Sequence, residues 1–99
     1  MMDEKNTAQL FVQLVIQNQQ MAMISLGKIK NPVSDTLDKN LEYAKLSIDT
    51  LDMLAQKTKG NLSEYEEKLL AETVSQLKII YVEESGGDTN AEQKLNNEK

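Results

Sequence analysis

"LFVQLVIQNQQMAMISLG", Leu10 to Gly27, is apolar on nearly every side of a helix and carries four amides in a row at Gln17 to Gln20. From about Thr7 to Leu26 the chain has neither Gly nor Pro, which predicts one long helix with Gly27 as its left-handed cap. On a helical wheel Leu10, Leu14 and Met21 form one stripe, and Phe11, Val15, Ala22 and Leu26 a second. Val12, Ile16 and Met23 form a third, so that only Gln9, Gln13, Gln17 and Gln20 line up as a polar edge.

Working outward, "KIKNPVSDTLDKN" reads as a loop in which Pro32 holds Asn31 extended. Asp38 or Asn40 is expected to cap a second helix reaching about Lys59 and ended by Gly60. Ser63 and Glu66 have capping-box spacing at the start of a third helix, which runs to about Glu83 and stops at "SGG". The second helix carries a tight stripe, Leu41, Ala44, Ile48, Leu51 and Ala55, flanked by Tyr43, Leu46, Met53 and Leu54. Its polar strip, Glu42, Lys45, Asp49, Asp52 and Gln56, is narrow. The third helix gathers Leu62, Tyr65, Leu69, Leu70, Val74, Leu77, Ile80 and Tyr81 within about half a turn. Glu64, Glu67, Lys68, Glu72 and Lys78 lie opposite.

The expected fold is all-α: a small three-helix domain over residues 7–84, a long helix one followed by a hairpin of helices two and three. Residues 1–6 are expected as a flexible N-terminus. Residues 85–99 hold one Leu and no aromatic residue, too little apolar surface to offset ordering entropy, and are expected as a disordered polar tail. No segment repeats at a fixed period.

Composition removes most enzymatic readings. The 99 residues contain no His and no Cys, and hence no imidazole base, thiol nucleophile or thiolate metal site. The hydroxyls have only surface lysines nearby, and Ser63 is explained as a cap. Lys45 and Asp49 share the polar strip of helix two as an i,i+4 pair, with Asp52 and Glu42 beside them; this reads as a solvated face rather than a metal site. No catalytic, metal-binding or cofactor-binding residue is assigned, and an enzyme is not expected. The net charge of −5 disfavours nucleic acid and anionic membrane surfaces. Lys28, Lys30, Lys39, Lys57 and Lys59 cluster around the ends of helix two, where helix-dipole pairing explains them better than anion binding. The acidic N-terminus does not resemble a secretory signal, and the expected location is cytoplasmic.

A chain of this size buries only ~60 to 65% of the surface that it exposes when unfolded. Helices one and two display more apolar surface than two neighbours can cover, so part of it is expected to meet another chain. Covering about five such side chains would return ~8 to 15 kcal/mol, against ~4 to 15 kcal/mol lost on association. A homodimer is the default. The expected interface comprises Leu10, Phe11, Leu14, Val15, Asn18, Met21, Ala22 and Leu26 of helix one with Tyr43, Leu46, Met53 and Leu54 of helix two. Asn18 projects into the apolar arc as a register-setting amide or, in the plainer reading, simply hydrates. The alternative partner is a larger cytoplasmic assembly onto which helix one docks as part of an accessory subunit or adaptor. A helix lying on a bilayer is disfavoured, because the polar edge is Gln rather than Lys.

The run "NLEYAKLSIDTLDMLAQKTKGNLSEYEEKLLAETVSQLKIIYVE", Asn40 to Glu83, resembles the bacterial family termed domain of unknown function 1844. The likeness is sharpest at Thr50-Leu51, "KTKGNLS", "EEKLL" and Tyr81-Val82-Glu83, and extends back to "SLGKI". The resemblance implies short, helical, cytoplasmic bacterial proteins and transfers no catalytic residue, substrate or cofactor. Gln17 to Gln20 look like a departure from that family's helix one.

Overall fold

The computed structural model describes residues 3–86, which form three helices and no strand. Asp3 starts the first, α1 (Glu4–Ser25): its side chain accepts the Asn6 N–H at 2.9 Å. The helix therefore takes up residues 4–6, assigned above to a flexible N-terminus. The apolar pattern begins only later, but an acidic cap followed by Glu4 complements the positive end of a helix without any apolar residue.

At the other end, Gly27 adopts φ +81°. Its N–H reaches the Ile24 carbonyl at 3.0 Å and the Lys28 N–H reaches that of Met23 at 2.9 Å. This pair of bonds is the Schellman closure expected from the glycine. Asn40, not Asp38, caps α2 (Leu41–Lys57), accepting the Tyr43 N–H at 3.1 Å. The helix ends at Lys57, two residues before the expected Lys59, and its cap is Thr58, whose hydroxyl donates to the Leu54 carbonyl. Gly60 bends the turn that follows. Ser63 and Glu66 close the capping box of α3 (Glu64–Glu84) as predicted. Ser85 and Gly86 finish that helix. The rest of the tail expected over 85–99 lies outside the described residues.

The Asn40 N–H donates to the Ser25 carbonyl at 2.8 Å, placing the start of α2 at the end of α1. Glu84, at the end of α3, meets Lys28 at 2.7 Å and Lys39 at 2.9 Å. The helices thus run up, down and up, with α2 antiparallel to its two neighbours. One aliphatic cluster joins them: Val15, Ala22 and Leu26 from α1 and its cap, Ala44, Ile48 and Leu51 from α2, and Leu70, Val74 and Leu77 from α3. Tyr65, expected in this core, is 67% exposed. It stands seven residues before Glu72 and shares that residue's outward sector, while Thr73 is buried instead. Lys78, expected on the outer face, reaches across to Asp52 at 3.3 Å between α2 and α3.

The connection between α1 and α2 is held by its own bonds. Asn31 bridges to Thr36 at 2.8 Å and accepts the Val33 N–H on its side chain, also at 2.8 Å. Asp35 takes the left-handed conformation at φ 59°. Ser34 and Thr36 hydroxyls donate to Asp38, whose carboxyl titrates below its ordinary range because of them.

Two measurements check these local arguments. Alanine at Gly27 would meet only the Lys39 side chain at 3.6 Å, so its penalty is conformational. Gly27→Ala is expected to lower stability by ~1 to 2 kcal/mol in urea unfolding. Hydrogen bonds from Lys28 and Lys39 hold Glu84 at about 2, down from an ordinary value of 4.5. The carboxylate therefore stabilises the fold above pH 4.5, and this contribution is lost as pH falls toward 2. Wild type should be the more stable of the pair with Glu84→Gln at neutral pH, the difference closing across that acid window.

Candidate interaction surface

Every helix in a small bundle has a rotation set by the side chains that enter the core. In α1 the Val15, Ala22 and Leu26 stripe turns inward, each at most 1% exposed. Those three residues cannot meet a partner, which corrects their assignment to an interface: the wheel ranked the three stripes of α1 alike, and α2 and α3 selected this one. Phe11 and Leu54, also assigned to the interface, are half-buried and pack against the same core. Asn18 is half-buried too, and its amide donates to the Leu14 carbonyl of its own helix at 3.0 Å.

The remaining assigned residues lie outside. Leu10, Leu14, Met21, Tyr43, Leu46 and Met53 keep between 39% and 59% of their surface in solvent. Those of α1 and α2 belong to one face. A groove of about 780 Å³ joins Met21 and Ile24 of α1 to Tyr43 of α2, and the connecting loop closes it with Pro32, Val33 and Leu37. A shallower groove of about 520 Å³ continues from Met21 and Ile24 back along α1 to Ile16, Gln17 and Gln20. α3 packs on the other side of the α1 and α2 pair, so this face has no cover within the described residues.

Sequence reading missed part of it. Val33 is 93% exposed and Leu37 59%, on a loop whose residues follow no helical period and so enter no wheel. The usable signal was their chemistry: two aliphatic side chains in a connection otherwise rich in turn-forming and charged residues.

The charged residues take structural positions. Lys45 pairs with Asp49 at 2.8 Å, as its spacing suggested. Lys28 and Lys39 serve Glu84 rather than a helix dipole, while Lys57 does occupy the last turn of α2. A polar pocket between the starts of α1 and α3 contains Asp3, Ser63 and Glu66. All three are engaged as caps. Among the described residues no group of three or more metal-ligating side chains could hold an ion, and no helix is long and apolar enough to cross a membrane.

The described residues therefore form a three-helix all-α domain with exposed aliphatic side chains along α1, α2 and their connection. The chain belongs to the family described as domain of unknown function (DUF1844), whose model matches residues 8–83, from the second turn of α1 to the last turn of α3. Neither curated proteins nor solved structures provide a match.

Neighbouring residues of α2 should respond oppositely to truncation. Ile48→Ala, in the core, is expected to lose ~2 to 5 kcal/mol in urea unfolding of dilute protein. Leu46→Ala, on the open face, should change stability by less than ~1 kcal/mol under the same conditions.

Proposed function

We propose that this is a non-enzymatic, cytoplasmic helical interaction protein that associates with a second copy of itself, as a dimer, through the exposed face of α1 and α2. The observation that carries the reading is that, of the twelve large apolar side chains left exposed, six belong to the α1 and α2 stripes, Leu10, Leu14, Met21, Tyr43, Leu46 and Met53, and two more, Val33 and Leu37, to the loop between them. Met21 and Tyr43 line one groove with Val33 and Leu37, and apolar surface gathered in this way is of the kind that monomeric proteins rarely leave in water. The absence of His and Cys from the chain supports the non-enzymatic part. The charge supports the choice of face. A chain of net charge −5 repels its own copy, and it does so least where the surface is neutral. No charged residue occurs between Lys5 and Lys28.

Light scattering on the full chain tests the proposal. The mass at micromolar concentration is expected near twice 11.2 kDa, with a thermal midpoint that rises with protein concentration. The double change Leu14→Asp with Leu46→Asp should give a folded monomer whose midpoint no longer depends on concentration. A wild-type monomer at those concentrations would refute self-association. If the same two substitutions then removed a foreign protein from affinity capture, the face would belong to an adaptor.

A further inference from the structure

Four exposed residues of α1, Leu10, Leu14, Gln17 and Met21, and the half-buried Ile24 recur at spacings of four, three, four and three, with exposed Ile16 outside the series. This is the heptad alternation that keeps one seam of a helix facing a partner helix. Tyr43, Leu46, Thr50 and Met53 of α2 follow at three, four and three. Two such seams lie side by side on the face opposite α3, each interrupted by one polar residue.

The two polar residues differ. The Thr50 hydroxyl is already engaged, donating to the Leu46 carbonyl of its own helix at 2.8 Å. Asn18 beside the α1 seam is likewise bonded to its own helix, at Leu14. The Gln17 side chain is exposed and makes no hydrogen bond to another described residue. It also stands at the centre of its seam, seven residues after Leu10 and seven before Ile24.

Resting on the self-association proposed above, we infer that the two-fold axis of the dimer passes beside Gln17, so that the Gln17 amides of the two copies pair. A partner helix that covers the whole seam must place its own midpoint against this one, whether it runs parallel or antiparallel. A primary amide carries both donor and acceptor, so two of them related by a two-fold can exchange reciprocal N–H···O bonds. A slipped pairing sets each amide against Leu14 or Met21 and leaves it unsatisfied, a penalty that aliphatic residues at this position would not impose. Gln17 thereby selects one register of an otherwise greasy and permissive surface. Leu10, Leu14, Met21, Val33, Leu37, Tyr43, Leu46 and Met53 each leave 39% or more of their surface in solvent, and eight such side chains make up a large share of the ~20 to 30 residues that each partner contributes to a standard interface of ~800 Å² a side.

The chain has no native cysteine, so single cysteines report the axis cleanly. Under mild oxidation, Gln17→Cys is expected to form a disulfide-linked dimer at least tenfold faster than Lys68→Cys on the outer face of α3. In sedimentation at pH 7, Gln17→Glu should weaken dimerisation at least tenfold, because two carboxylates then face each other across the axis. Suppose wild type has a dimer mass, but Gln17→Cys links no faster than the control or Gln17→Glu leaves the affinity unchanged. The axis lies elsewhere, and self-association stands. A monomeric wild type would overturn both inferences.

Discussion

The fold depends on a single shared contact, the aliphatic cluster in which Val15, Leu26, Ile48, Leu51, Leu70 and Leu77 are fully buried together. At this size there is material for only one such cluster. Once it forms, the rotation of each helix about its axis is decided, and so is the set of side chains left outside. The open face is thus a consequence of the core. α1 has apolar residues almost all round and can give only one stripe to two neighbours; with the Val15 stripe inside, Leu10, Leu14 and Met21 remain in water.

Polar interactions then hold the edges of that face in place. The Schellman closure at Gly27 turns the chain sharply out of α1. The bridge between Asn31 and Thr36 shapes the connection. Glu84 ties both ends of that connection, through Lys28 and Lys39, to the end of α3. A segment of turn-forming residues is in this way fastened at two points and presents Val33 and Leu37 beside the groove. The common effect of these bonds is positional.

Helix termini were legible because capping is local chemistry. Ser63 with Glu66, Asn40 before α2 and Gly27 after α1 each act within four residues of themselves, so their spacing in the sequence suffices. The core stripe of α2 was legible for a related reason: Ala44, Ile48 and Leu51 fall in one narrow sector with charges opposite. α1 offered no such contrast. With amides in place of charges, its wheel could not rank the Val15 stripe above the Leu14 stripe, and the expected interface mixed residues from both. Tyr65 failed similarly: the wheel counted it within the apolar half-turn, but it lies at that arc's edge, seven residues before Glu72, in a sector that faces out.

Length, capping residues and apolar period by themselves determined that this chain forms three helices with more apolar surface than it can cover, because those quantities depend on residues within a turn or two of one another. Which stripe of α1 enters the core, where Lys78 finds Asp52, and how Val33 comes to stand beside Met21 and Tyr43 were decided only by the tertiary structure. Those outcomes require knowing where a second helix lies, and no local pattern in an evenly greasy helix carries that direction.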